Sequence, residues 1–218
     1  MAILIILLIA SYIAGSFPTS ILAGKFLKNI DIRDHGSGNA GATNAFRLLG
    51  WKPALFVLFI DGFKGWLSVK VIAGMGFEYQ NIPDLGALQI LCGIASVLGH
   101  TYSLFAQFRG GKGIGTLAGV LIGLFPLAFP MALAVFTATL LMTGYVSLSS
   151  LLAALSLPII LLGIMPIFVS IHPPLSLLVF SLLIPWFVIF THRKNISRLK
   201  SGTEDRFEKA MIFKKTKD

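Results

Sequence analysis

Two stretches of the chain combine glycines, small hydroxyls, amides and cations in the way a phosphate group requires. They are Gly36-Ser-Gly-Asn-Ala-Gly-Ala-Thr-Asn44 and Gly110-Gly-Lys-Gly113. Backbone N–H groups left open by glycine, with Lys or Arg nearby, are what an oxyanion needs. In the first stretch Gly36, Gly38 and Gly41 permit turns and close approach to a ligand. Ser37, Asn39, Thr43 and Asn44 add side-chain donors, and Arg47 adds a fork-shaped permanent cation. Thr43 or Asn44 could equally cap the next helix.

The second stretch, Gly99-His100 through Gly113, is not a nucleotide-hydrolysing phosphate loop. That pattern needs a glycine where Ala106 stands and Ser or Thr where Gly113 stands. Lys112 among Gly110, Gly111 and Gly113 still offers a point charge to phosphate. Asp61 and Lys64, three apart on one helix face, can pair, and ionisable groups within an apolar run are functional candidates. His192 and Asn195 are also three apart and share a face if their helix continues.

These groups sit at the ends of long apolar runs. Hydrophobic residues make up 56% of the chain and charged ones only 12%, with a mean hydropathy of +0.85. That composition excludes an ordinary soluble domain. The net charge of +9 does not point to nucleic acid, because the cations cluster in short segments flanking apolar runs. The lone Cys92 excludes an intrachain disulfide, and no metal-ligand cluster stands out. Met1 to Ala14 lacks a basic start and reads as a retained span.

A crossing helix needs about 20 mostly apolar residues. Ala2 to Ala23, Pro53 to Met75 and Leu85 to Leu104 each supply one. From Gly113 to His192 there is no Asp, Glu, Lys or Arg, and the turns at Phe125–Pro130, Gly144–Ser150 and His172–Pro174 divide this run into four. The fourth span, Ile114 to Phe125, is close to a half-helix. The expected fold is therefore an all-α integral membrane protein of about seven transmembrane helices, N-terminus outside and C-terminus cytoplasmic. It forms a single domain over 1–218, with a basic tail at 192–218 that is expected to be solvated or lipid-associated from Arg206 onward. With that topology the segments 36–47, 99–112, 144–150 and 192–204 all open on the cytoplasmic face.

Together these segments resemble the acyl-phosphate-dependent bacterial glycerol-3-phosphate acyltransferases, the PlsY type, over essentially the whole chain. The matching motifs are Gly-Ser-Gly-Asn-x-Gly-Ala-Thr-Asn at 36–44 with Arg47, Asp-x-x-Lys-Gly at 61–65, Gly-His…Phe-x-x-Phe-x-Gly-Gly-Lys-Gly at 99–113, and His-x-x-Asn-Ile-x-Arg-Leu-x-x-Gly-Thr-Glu at 192–204. Ser103 departs from the family's proline, and Ile114-Gly115 from its Val-Ala.

The resemblance implies transfer of a fatty acyl group from acyl phosphate to the sn-1 hydroxyl of glycerol 3-phosphate, giving lysophosphatidate and phosphate in phospholipid synthesis. It implies no cofactor, no acyl carrier protein or CoA, membrane lipids as surroundings, and a bacterial inner membrane location. The His-x₄-Asp dyad of other glycerol-3-phosphate acyltransferases is absent: Ala40, Phe105, Leu177 and Ser197 stand five residues after the histidines. The catalytic candidates it implies are Lys112, Ser37, His192 and Asn195. Gly36, Gly38, Asn39, Gly41, Thr43, Asn44, Arg47, Gly110, Gly111, Gly113, Ser147 and Glu204 are the substrate-binding candidates. The alternative is an organic-phosphate transporter, which broken helices and buried charges also suit. Polar islands on one face alone argue against it. A non-catalytic lipid anchor explains the basic tail but not the glycine loops.

Overall fold

Each of the seven apolar stretches is helical in the computed structural model, which describes residues 2–79, 84–168, 173–207 and 211 (77–79 by backbone alone). His172, Gln80–Pro83 and most of the tail beyond Phe207 lie outside the described residues. No strand occurs among those described. The chain forms two compact units, Met1–Phe125 and Pro126–Asp218.

In the first unit, α1 (Ala2–Ser16) ends at Phe17-Pro18, and α2 (Thr19–Lys28) continues after the break. Proline lacks an N–H and crowds the preceding turn, so the interruption falls where the sequence puts Pro18. A loop with a short 3-10 turn at Ile32–Asp34 leads to α3 (Ala42–Leu49) and then α4 (Trp51–Leu67). A π-helical turn, Ser68–Ile72, joins α4 to α5 (Ala73–Tyr79) without interrupting the helical run. The unit is completed by α6 (Leu85–Thr101), a 3-10 turn at Leu104–Ala106, and α7 (Ile114–Leu124).

Helices surrounded by lipid gain little from apolarity alone, so close backbone packing must hold them together. Two pairs show it. A methyl group on Gly119 of α7 would collide with the Gly62 carbonyl of α4, and one on Gly15 of α1 would collide with the Ser96 backbone of α6. Leu7, Ala73, Leu88 and Cys92 add an apolar cluster to the same unit. Large apolar side chains such as Ile9, Phe56 and Phe59 point outward and remain exposed, as a hydrocarbon solvent permits.

In the second unit, α8 (Ala128–Thr143) turns through Gly144, at φ 74°, into α9 (Val146–Ile159). A second π-helical turn, Ile160–Ile164, follows Pro158 and leads into α10 (Met165–Phe168). The unit closes with α11 (Leu175–Thr191) and α12 (Arg193–Lys200), whose axes bend by 64° at His192.

By length and composition, Ala2–Lys28, Leu85–Ala106 and Val146–Phe168 are long and apolar enough to cross a membrane, and α11 with α12 makes a bent fourth. The apolar helices α7 and α8 are shorter. The run from Trp51 to Tyr79 is long enough but carries Asp61, Lys64 and Lys70.

Candidate active site

The first loop is organised by an amide. Asn44, fully buried in the first turn of α3, donates from Nδ2 to the carbonyls of Ile32 at 2.7 Å and His35 at 3.0 Å. Its Oδ1 accepts the Ser37 backbone N–H at 3.0 Å. Gly36 and Gly38 both take left-handed conformations, φ 61° and 69°, where a side chain is strained. The helix cap is neither Thr43 nor Asn44 but Gly41, extended and with no side-chain bond to the helix. The start of α3 therefore presents its first N–H groups and the positive end of its dipole beside Ser37, Asn39 and Thr43, all half-buried or more exposed. Arg47 lies one turn further along the same helix.

The second loop folds back on the end of α6. Gly110 N–H bonds the Thr101 carbonyl at 3.1 Å, and Gly111 N–H bonds the His100 carbonyl at 3.2 Å. Helix-terminal carbonyls are thereby satisfied. A side chain on Gly111 would strike both the Ala40 carbonyl of the first loop and Nε2 of His100. The two glycine loops thus meet at this point, with the half-buried Lys112 next in line. Gly113, at φ 78°, then opens α7, again with no side-chain cap. A cation beside an uncapped helix start favours negative charge.

Arg33, read from sequence only as one of several loop cations, stitches the loops together. Its guanidinium donates to Asp31 at 2.6 Å and to the carbonyls of Ala106 at 2.9 Å and Arg109 at 3.3 Å. The Arg33 side-chain hydrogen bond lowers the Asp31 carboxyl to about 2, against a smaller upward push from burial. Ser103 is a second group whose role the sequence did not reveal: its buried hydroxyl donates to the Ser16 carbonyl at the end of α1. A proline at that position has no donor to offer.

Below the loops, Asp61 is buried with a ring of partners. Lys64 Nζ lies 2.8 Å from its Oδ1, His100 Nδ1 lies 3.6 Å away, and Thr19 Oγ1 donates at 3.3 Å. Lys64 also donates to the Phe17 carbonyl at 3.1 Å. The expected Asp61–Lys64 pair is therefore present, with two further members.

The second unit gathers a separate set. Ser147 and Asn195 donate to Glu204 Oε1 at 2.7 and 2.6 Å, while Arg198 donates to Oε2 at 2.7 Å. Burial pushes the Glu204 carboxyl up, but these three hydrogen bonds outweigh it and hold it below the usual glutamate range. Its contribution to stability is thus full above the ordinary value of 4.5 and lost as pH falls through the lower folded value. Glu204→Ala is expected to orphan three donors, lowering stability by about 2–3 kcal/mol in thermal unfolding of the detergent-purified protein at pH 7. The difference from wild type should shrink as pH is lowered.

His192, buried at the bend, places Nδ1 2.9 Å from the Val188 carbonyl. A carbonyl only accepts, so Nδ1 carries the hydrogen and Nε2 the basic lone pair of the neutral ring. The start of the tail, where Arg206 is exposed, is also tied to the second unit. Arg206 stacks 4.7 Å over Tyr145, and Phe207 N–H bonds the Gly144 carbonyl at 2.7 Å. An aromatic face at the start of α9 captures the cation.

The structure therefore joins Gly36–Asn44 to Gly110–Gly113 in one unit, and Ser147, Asn195 and Glu204 in the other. Among the described residues, no group of three or more His, Cys, Asp or Glu could hold a metal ion.

Residues 5–202 match the family described as glycerol-3-phosphate acyltransferase. The glycerol-3-phosphate acyltransferase of Pelodictyon phaeoclathratiforme is 43% identical over 229 residues, covering 94% of this chain and 97% of the relative. That of Chlorobium chlorochromatii is 44% identical over 228 residues, with the same coverage. Among solved structures, this fold is similar to the crystal structure of PlsY, an integral membrane glycerol 3-phosphate acyltransferase, in its glycerol 3-phosphate form. The TM-score is 0.79 at 35% identity, over 94% of this chain and 95% of that one. The lysophosphatidic acid form of PlsY gives a TM-score of 0.78.

Proposed function

This chain belongs to the glycerol-3-phosphate acyltransferase family, and from that premise we propose that its acyl donor is a fatty acyl phosphate. The hydroxyl at sn-1 of glycerol 3-phosphate attacks the donor's carbonyl carbon, a new ester C–O bond forms, and the bond from that carbon to the phosphate oxygen breaks. The hydroxyl proton ends on the departing phosphate, directly or by way of a base, so the products are lysophosphatidate and inorganic phosphate. Phosphate is already a competent leaving group, and no covalent enzyme intermediate is needed.

The observation that carries this reading is the meeting of the two glycine loops at Ala40 and Gly111, which sets Lys112 beside uncapped helix starts. The open N–H groups of α3, with Ser37 and Thr43, are assigned to the acyl-phosphate head and to the oxyanion that develops on its carbonyl. Lys112 is assigned to both phosphates, with Gly110, Gly111 and Gly113 letting backbone approach them. Arg47, His192 and Asn195 are assigned to glycerol 3-phosphate, and Nε2 of His192 is a candidate base. Glu204 supports Asn195 through the carboxylate oxygen to which Ser147 also donates. The seven apolar stretches are read as crossings of a bacterial inner membrane, N-terminus outside, with the reaction on the cytoplasmic side.

The test is a donor comparison. Purified protein given radiolabelled glycerol 3-phosphate should move label into a chloroform-extractable product with palmitoyl phosphate but not with palmitoyl-CoA or palmitoyl-acyl carrier protein. Equal or faster transfer from the thioesters would overturn the donor assignment.

A further inference from the structure

We propose that His100, oriented by the buried Asp61–Lys64 pair, is a positioning residue that sets the height of the Lys112 loop. The inference rests on the phosphate role assigned above to Lys112, and it concerns groups that touch no substrate.

The geometry is a stack of contacts running from the membrane helices to the loop. At its base, α4 carries Asp61 and Lys64, 3% and 5% exposed. The pair is held from one side by the Phe17 carbonyl at the Pro18 break, which also accepts the Thr19 N–H at 3.0 Å, and from the other by the Thr19 hydroxyl. Above it, His100 on the last turn of α6 turns Nδ1 toward the carboxylate, 3.6 Å from Oδ1. The opposite edge of the ring, Nε2, lies so close to Gly111 that a single added carbon would collide with it. The His100 carbonyl receives the Gly111 N–H on the same side. Ring and backbone of one residue therefore both bear on Gly111, and Lys112 is the next residue along.

A small, water-sized recess lined by Thr19, Asp61, His100, Ser103 and Gly111 opens beside the ring. Without an attractive group on the α4 side, the imidazole loses the contact that selects its orientation and no longer supports the loop from below. The carboxylate selects the supporting orientation, and Lys64 neutralises the carboxylate so that it tolerates burial. Glycine at 111 completes the device, because only a residue without a side chain fits between the His100 edge and the Ala40 carbonyl. Misplacement of a binding group by about 1 Å is enough to cost about a hundredfold in rate.

The test separates positioning from simple structural support. Glycerol 3-phosphate binding is measured by calorimetric titration, which needs no acyl donor, together with kcat and KM from the donor assay. His100→Gln and Asp61→Asn are expected to weaken glycerol 3-phosphate binding about tenfold, raise its KM similarly and lower kcat, in folded, monodisperse protein. A group that only stabilises the fold reduces the amount of folded enzyme and leaves binding by that fraction unchanged. Thr19→Val, which keeps the ion pair and removes one donor to the carboxylate, is expected to shift KM in the same direction by a smaller factor; it decides the matter if the other two variants do not fold. Wild-type affinity and KM in the folded variants would overturn the proposal while leaving acyl transfer intact. Failure of the wild type to use acyl phosphate would instead sink the donor assignment and leave the titration result standing.

Discussion

Lys112→Ala abolishes acyl transfer, with a fall of about a thousandfold or more expected, and leaves the melting temperature of the purified protein within a few degrees of wild type. Two phosphates must be held near each other for the hydroxyl to reach the carbonyl, and their mutual repulsion rises as water is excluded. One ammonium serving both lowers that repulsion and anchors each substrate. Losing a single preorganised donor to developing charge costs about 2.7–4 kcal/mol, roughly a hundred- to a thousandfold, and Lys112 is assigned to more than one charged group. Stability should barely change, because the loop is held by the backbone bonds of Gly110 and Gly111 and by Arg33. Initial rates with palmitoyl phosphate and a thermal melt on the same preparation settle it. Wild-type rates would refute the role.

Asn44 is expected to behave in the opposite way. Its amide is fully engaged inside the first loop, two donations and one acceptance. Asn44→Ala orphans the N–H of Ser37 and leaves the carbonyls of Ile32 and His35 with only the backbone N–H groups of His35 and Gly38. An orphaned group costs about 1–3 kcal/mol and each lost hydrogen bond about 1 kcal/mol, so a loss of about 3 kcal/mol is expected, with activity lost through collapse of the loop. Asn44→Asp should be no better, since a carboxylate has no donor for either carbonyl and places negative charge against both. A group that merely touched substrate would lose activity in both variants but keep its melting temperature. A drop of several degrees or more in both identifies the loop hub.

That contrast shows where the sequence was legible. The apolar stretches announced the helices, because a lipid-facing helix must be apolar almost all round and nothing else in the chain competes with that signal. The Asp61–Lys64 pair came from a separation of three residues on one helix. Asn44 was read as a ligand or a cap because an amide suits both; that it closes a loop twelve residues wide depends on where the Ile32 carbonyl ends up, which no local pattern states. His100 meets Asp61 only because α6 returns beside α4, and Arg33 looked like any cation marking the cytoplasmic side. The π-helical turns at Ser68–Ile72 and Ile160–Ile164 were likewise invisible. Each inserts residues into the regular ladder and rotates the helix beyond it, so a helical wheel drawn on α4 does not carry through to α5.

The Phe17 carbonyl has a bearing on how the protein is made. An ammonium such as that of Lys64 is costly inside a bilayer until something receives it, and here one receiver is a carbonyl at the proline break between α1 and α2. Because synthesis runs from the N-terminus, that acceptor is made before α4. The order of translation therefore supplies the lodging before the guest arrives, and a nascent chain deprived of its opening segment would leave Lys64 with the Asp61 carboxylate of its own helix and no receiver from α1.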